Sequence, residues 1–240
     1  KRGISISSTL LQFEYKNYKF NLLDTPGYKD FSEDTYRVLT AVDGVIMVID
    51  AAKGIESQTI KLFEICKKRG IPIFTFINKM DRPGKTPLEL IDQIEEVLGI
   101  DTFPVNWPID NGESFKGVYD RLKGHVHLFE RATGGNYRAP FSVHNVYDEK
   151  FKEIMLESVY DSFLEEIDLL EYAHVGFDKE EVLKGKLSPV YFGSAANNFG
   201  VEMLLDGFMS YSSTPIAREK VTGEIIPLEG PEFSSFVFKI

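Results

Sequence analysis

A chain of 240 residues, 43% hydrophobic and 27% charged, sits near the globular average, which excludes disordered and collagen-like chains; at ~150 residues per domain it holds one large domain, or one domain and part of another. Its single cysteine, Cys66, can close no internal disulfide and reads as a buried, inert thiol, so nothing argues for an oxidising compartment and the chain reads as cytoplasmic. Against 37 acidic residues stand 27 basic ones, a net charge of −10, so the overall field repels nucleic acid at long range; DNA is excluded as a partner and any RNA contact must be local.

In chain order, Arg2-Gly3-Ile4-Ser5-Ile6 comes first and places a hydroxyl at Ser5, of the kind that a segment ordered by a γ-phosphate and Mg²⁺ supplies. Short apolar runs at Phe20–Leu23, Val45–Ile49, Ile71–Ile77 and Val190–Phe192 then read as strands buried on both faces, hence as a parallel sheet. All are far shorter than the ~20 residues of a membrane span. Helices are expected at Ser32–Val42, Ser57–Arg69, 87–98, Asp148–Tyr172 and Val201–Met209. The third has Thr86 and Glu89 as a capping box, Pro87 at its first position, a stripe of Leu88, Ile91, Ile94 and Leu98, and Gly99 as its stop. Phe151, Ile154, Met155, Val159 and Phe163 form the stripe of the fourth. Lys67-Lys68-Arg69 reads as a solvated helix end that favours the dipole.

Strands alternating with helices give an α/β, doubly wound, mainly parallel sheet. From about Phe103 to Val146 a segment rich in glycine, asparagine and aromatics breaks the rhythm and reads as an α+β insertion with short strands. There His125 and His127 share one strand face, but two ligands without a third do not make a metal site. Residues 1–214 are thus one domain. Residues 215–240 read as a linker and, at Phe233–Ile240, the first strand of a second, β-barrel domain.

Open α/β sheets bind ligands at the carboxyl ends of their strands, and there the chemistry collects. Asp24-Thr25-Pro26-Gly27 is a carboxylate followed by a tight turn; Asp24 can hold Mg²⁺ through water while the Gly27 amide touches a γ-phosphate. In Asn78-Lys79-Met80-Asp81, the Asp81 carboxylate can accept from the N1–H and exocyclic amine of guanine, Lys79 can lie along the base plane, and Asn78 can brace the neighbouring loops. Adenine lacks that donor pair, so its rejection can reach roughly 10⁴-fold. The backbone of Ser194-Ala195-Ala196 can reach the guanine carbonyl. Gly84-Lys85-Thr86 imitates the end of a phosphate loop, but the residue five before Gly84 is Lys79, not glycine, and Thr86 is already a helix cap.

Together these motifs resemble those of the translational GTPases. Asp30–Arg37, Val48–Gly54, Trp107-Pro108-Ile109, Phe115–Tyr119, Asn198–Val201 and Phe236–Ile240 resemble, within them, the bacterial peptide chain release factor 3 family; elongation factor G shares the nucleotide motifs but not usually the Trp-Pro-Ile and Asp-Ala-Ala-Lys-Gly segments. The resemblance implies a P-loop GTPase fold, GTP or GDP with Mg²⁺ as ligands, the ribosome (rRNA and ribosomal proteins) and the class-I release factors as partners, and ribosome-stimulated GTP hydrolysis in translation termination. Tyr28 stands where that family has the histidine that positions the attacking water. The family's G-x-x-x-x-G-K-[ST] loop has no match in residues 1–240, so a fragment or truncated product is expected, one that by itself binds GTP weakly or not at all. Two alternatives are a nucleotide-independent interaction module and a fragment of an elongation-factor-G-like GTPase.

Overall fold

The computed structural model describes residues 9–25, 32–129, 141–173, 176–213, 215, 217–219, 222–227, 229, 235 and 237. Lys16 and Asn17, both left-handed with φ 46° and 66°, form the two-residue turn that folds β1 (Thr9–Tyr15) antiparallel onto β2 (Tyr18–Asp24). The strand expected at Phe20–Leu23 therefore exists, but not as a doubly buried parallel strand. Lys19 and Asn21 interrupt its apolar run, and most of its residues stay exposed, as suits an antiparallel ribbon. Tyr15 Oη donates to Asp206 Oδ1 (3.0 Å) and Lys16 Nζ pairs with the same carboxylate at 2.7 Å. Burial first, then the Asp206 hydrogen bond and charge, push the Tyr15 phenol up to about 12.

Short α1 (Ser32–Val38) leads to β3 (Val45–Asp50), α2 (Ser57–Lys68), β4 (Ile73–Asn78), α3 (Pro87–Leu98) and β5 (Asp101–Pro104). Further on, β10 (Leu187–Phe192) enters between β4 and β5, giving a four-stranded sheet in the order β3-β4-β10-β5 in which all neighbours run parallel. Alternation along β4 divides the core. Ile73 and Ile77 join Phe63, Ile91, Ile94 and Phe192 on one face; Phe74 and Phe76 meet Val182, Tyr191 and Leu204 on the other. Helices thus cover both faces, as a doubly wound sheet requires. Between the strands, Thr75 Oγ1 and Ser188 Oγ share a buried hydrogen bond of 2.8 Å.

Local rules explain α3 well. Thr86 and Glu89 form the reciprocal capping box and Gly99 ends the helix at φ 60°. Its buried face is Pro87, Leu90, Ile91, Ile94 and Leu98, with Leu88 half-buried against the same core; full burial of Ile94 alone contributes about 1.5–3 kcal/mol. The end of α2 is exposed as expected, with Lys67, Lys68 and Arg69 all at the surface; there Lys67 Nζ donates to Gly99 O (2.6 Å) and Arg69 to Tyr36 O (3.4 Å). Cys66 is buried, which pushes its thiol up to about 11.

The insertion is a four-stranded antiparallel meander of β6 (Asn106–Ile109), β7 (Gly117–Asp120), β8 (His125–Phe129) and β9 (Phe141–Asn145). It starts later than expected, since Phe103 and Pro104 pair with β10 in the parallel sheet. Next come α4 (Glu149–Ile154) and α5 (Glu157–Tyr172) in place of one long helix. Leu156 is extended (φ −66°, ψ 137°) between them, and the break lets the Phe151 and Tyr160 rings meet edge to face at 5.9 Å. Trp107 is fully buried, packs edge-on to Phe192 at 5.3 Å and donates from Nε1 to Glu166 Oε2 at 2.7 Å, so the insertion shares the core of the parallel sheet. Last come α6 (Lys179–Leu183), not expected from sequence, α7 (Val201–Tyr211), and a small antiparallel pair, β11 (Arg218–Glu219) with β12 (Ile225–Ile226). Most of the strand expected at Phe233–Ile240 lies outside the described residues. Among the described residues, no helix is long and apolar enough to cross a membrane.

Candidate functional site

Register brings three strand ends together: Asp50 lies opposite Asn78, and Ile77 opposite Phe192. Three loops therefore leave the sheet side by side. Asn78 joins two of them, its Oδ1 accepting from Lys79 N (2.8 Å) and Ala195 N (2.9 Å), while Gly193 N donates to Ile77 O (3.0 Å) and Met80 N to Gly193 O (3.1 Å). Met80 is buried beneath the loop. From the insertion, Gly112 N donates to Met80 O at 2.8 Å.

Lys79 is left-handed, with φ 70°, a conformation costing a non-glycine residue on the order of 1 kcal/mol. The flanking hydrogen bonds hold it there. Its Nζ reaches Asp50 Oδ2 at 2.6 Å, and Asp50 Oδ1 accepts from Ala52 N at 2.9 Å. Partial burial works against the Asp50 charge, but the Lys79 hydrogen bond, the Ala52 N–H and the Lys79 charge outweigh it, and the carboxyl lies below its ordinary range.

The most informative atom is Asp81 Oδ1. Its twin, Oδ2, accepts from Asn197 Nδ2 (3.1 Å), which also contacts Ser194 Oγ at 3.0 Å. Oδ1 itself is buried without a hydrogen-bond partner among the described residues, a state that costs about 1–3 kcal/mol until a donor reaches it. A guanine edge carries two such N–H donors side by side. Asn78, Lys79, Met80, Asp81, Ser194 and Ala195 are thus one hydrogen-bonded cluster. The amide of Ala195 is committed to Asn78, and the neighbouring Ala196 is exposed.

Asp24 and Thr25 stand elsewhere, at the end of β2, in the hairpin and not in the four-stranded sheet. Asp24 is exposed there. An exposed carboxylate suits Mg²⁺, which keeps several waters and needs one or two protein carboxylates beside phosphate oxygens. Ser5, Pro26, Gly27 and Tyr28 lie outside the described residues. On β8, His125 is exposed and His127 half-buried, and among the described residues no group of three potential metal ligands occurs. Thr86 is a helix cap as expected, and Lys85 Nζ contacts Gln93 Oε1 at 3.2 Å.

Sequence reasoning missed two members of the cluster. Asp50 carried a signal, since it ends an apolar strand just as Asp24 and Asn78 do. Asn197 carried none, because its contact with Asp81 spans 116 positions.

A family model described as the elongation factor Tu GTP binding domain matches residues 1–214. The chain is 59% identical over all 240 residues to the peptide chain release factor 3 of Gloeobacter violaceus, covering 45% of that protein. It is 53% identical to the proteins of the same name from Trichormus variabilis and Nostoc punctiforme, covering 44% of each. It thus spans less than half the length of these curated relatives. Among solved structures, a Thermus thermophilus protein is similar in fold, with a TM-score of 0.67 at 21% identity over 88% of this chain and 33% of its own.

Proposed function

The chain belongs to the family of the elongation factor Tu GTP-binding domain, and we propose that it is the guanine-nucleotide part of a cytoplasmic translation-termination GTPase that, on the ribosome, promotes release and recycling of class-I release factors. One observation carries the nucleotide half of this reading: a buried, unpartnered Asp81 oxygen beside Asn78 and Lys79 at the carboxyl ends of parallel strands. The termination half is supported by the name shared by the relatives.

In this reading Asp81 takes the guanine N1–H and amine, the Lys79 stem lies along the base, and Ala196 N–H faces the base carbonyl. Asp24 and Ser5 would hold Mg²⁺, which neutralises charge on the phosphates when bound. In the Thr25-Pro26-Gly27 motif the Gly27 amide would meet the γ-phosphate, and the Tyr28 hydroxyl would orient the attacking water. Residues 1–214 make the GTPase domain, and 215–240 the linker and first strand of a β-barrel domain.

The test is titration of the complete gene product, including any residues flanking 1–240, with fluorescent GTP and GDP. Sub-micromolar, Mg²⁺-dependent, guanine-selective binding is expected. Lack of binding at 100 μM would leave a nucleotide-independent interaction module.

A related prediction concerns Tyr28. A phenol with its ordinary pKa of about 10 stays neutral at pH 7, whereas an imidazole can also carry a proton and stabilise charge developing on the γ-phosphate. Tyr28→His is expected to raise single-turnover GTP hydrolysis with saturating ribosomes by about 10-fold, the low side of a positioned acid–base contribution. Equal rates would remove position 28 from the hydrolytic machinery.

A further inference from the structure

The Lys79–Asp50 contact has no role in reading base edges, yet it is the best-anchored charge pair at the site. Asp50 is fixed on all sides. Its Oδ1 accepts from Ala52 N (2.9 Å) and Lys53 N (3.4 Å), and its carbonyl accepts from Gly54 N (2.8 Å). The turn it heads rests on α3, where Gln93 Oε1 accepts from Ile55 N at 3.3 Å. The remaining oxygen, Oδ2, meets Lys79 Nζ at 2.6 Å. Only 18% of the Asp50 side chain is exposed, against 44% of that of Lys79, so the lysine tip is tethered while much of its side chain remains open to a ligand.

A pair with one partner this exposed adds little to stability, and its placement between two ligand-facing loops suits another task. We propose that Asp50 is a positioning residue: it stretches Lys79 across the gap between the ends of β3 and β4 and so presents the aliphatic stem as a preformed platform for the guanine plane. The proposal rests on the nucleotide reading above. A lysine stem held in one geometry before binding has less rotamer freedom left to lose when the base arrives. A free stem must be ordered by the ligand, which weakens binding by about 3- to 10-fold per side chain of this kind.

The test compares Asp50→Asn with the unaltered complete gene product, by GDP affinity, GDP dissociation rate and thermal melting. Asparagine keeps an oxygen for the Ala52 and Lys53 amides and loses the anionic partner of Lys79. The expected result is a 3- to 10-fold loss of affinity, appearing as faster dissociation, with an unchanged melting temperature. Placed on Lys79→Met, whose apolar stem needs no tether, Asp50→Asn is expected to have no further effect. Equal loss in both backgrounds would assign Asp50 to the turn alone and overturn the positioning role. Unchanged affinity in Asp50→Asn, with normal binding by the unaltered chain, would overturn it too. Should the unaltered chain bind no GDP, the nucleotide reading itself fails, and the positioning role with it.

Discussion

Asp81→Asn is expected to turn a guanine site into a xanthine site. The geometry decides which way the new amide faces. Asn197 Nδ2 donates to Asp81 Oδ2 at 3.1 Å, so an asparagine at 81 places its oxygen there and its NH₂ where Oδ1 now lies buried and unpartnered. A donor at that point opposes the C2 amine of guanine and suits the C2 carbonyl of xanthine. Buried polar groups left facing like groups discriminate by roughly 10⁴-fold, so the GTP-to-XTP affinity ratio of the complete gene product should fall by about that factor and invert. Competition of the two nucleotides against a fluorescent probe measures it. The double variant Asp81→Asn/Asn197→Ala frees the amide to flip and should recover part of the guanine binding. A retained guanine preference in Asp81→Asn would show that Asp81 does not read the base.

Much of the cluster around Asn78 and Asp81 was legible in the sequence, and the reasons are local. The near-continuous apolar run of β4 ends at Asn78, so its length placed Asn78, Lys79 and Asp81 at a strand end, where open α/β sheets bind ligands. Likewise the Thr86/Glu89 pair marked the start of α3 to the residue. What escaped depends on tertiary packing. No glycine or proline separates α4 from α5, so the extended Leu156 that divides them, across which the Phe151 and Tyr160 rings pack, has no local marker. β2 looked like part of the parallel sheet because Phe20, Leu22 and Leu23 are apolar, although Lys19 before them and Asn21 among them favour an antiparallel ribbon. Asn197 entered through a contact that no spacing rule anticipates.

Gly193→Ala is expected to destabilise the fold and the site together. Gly193 stands where β10 leaves the sheet, its N–H bonded to Ile77 O (3.0 Å) and its carbonyl to Met80 N (3.1 Å). A Cβ there would overlap the Phe199 carbonyl oxygen and approach Phe76 Cζ to 2.9 Å. The first obstacle is backbone and cannot rotate away. Phe199 O accepts from Ser194 N at 3.0 Å, and Ser194 O accepts from Phe199 N at 2.9 Å, so displacing that carbonyl opens the loop carrying Ala195, Ala196 and Asn197. Overpacking of this kind costs about 1–3 kcal/mol. We expect the upper part of that range, about 100-fold in the folding equilibrium, together with weaker GDP binding because the Asn78–Ala195 and Asp81–Asn197 bonds both run through the displaced loop. Chemical denaturation and GDP titration of the same variant measure the two effects. Phe76→Leu separates the two obstacles: if the ring were the limiting one, adding Phe76→Leu would restore what Gly193→Ala loses. With the carbonyl as the limit, the double variant is no more stable than Gly193→Ala, and rescue by Phe76→Leu would overturn the account of the tight turn at Gly193.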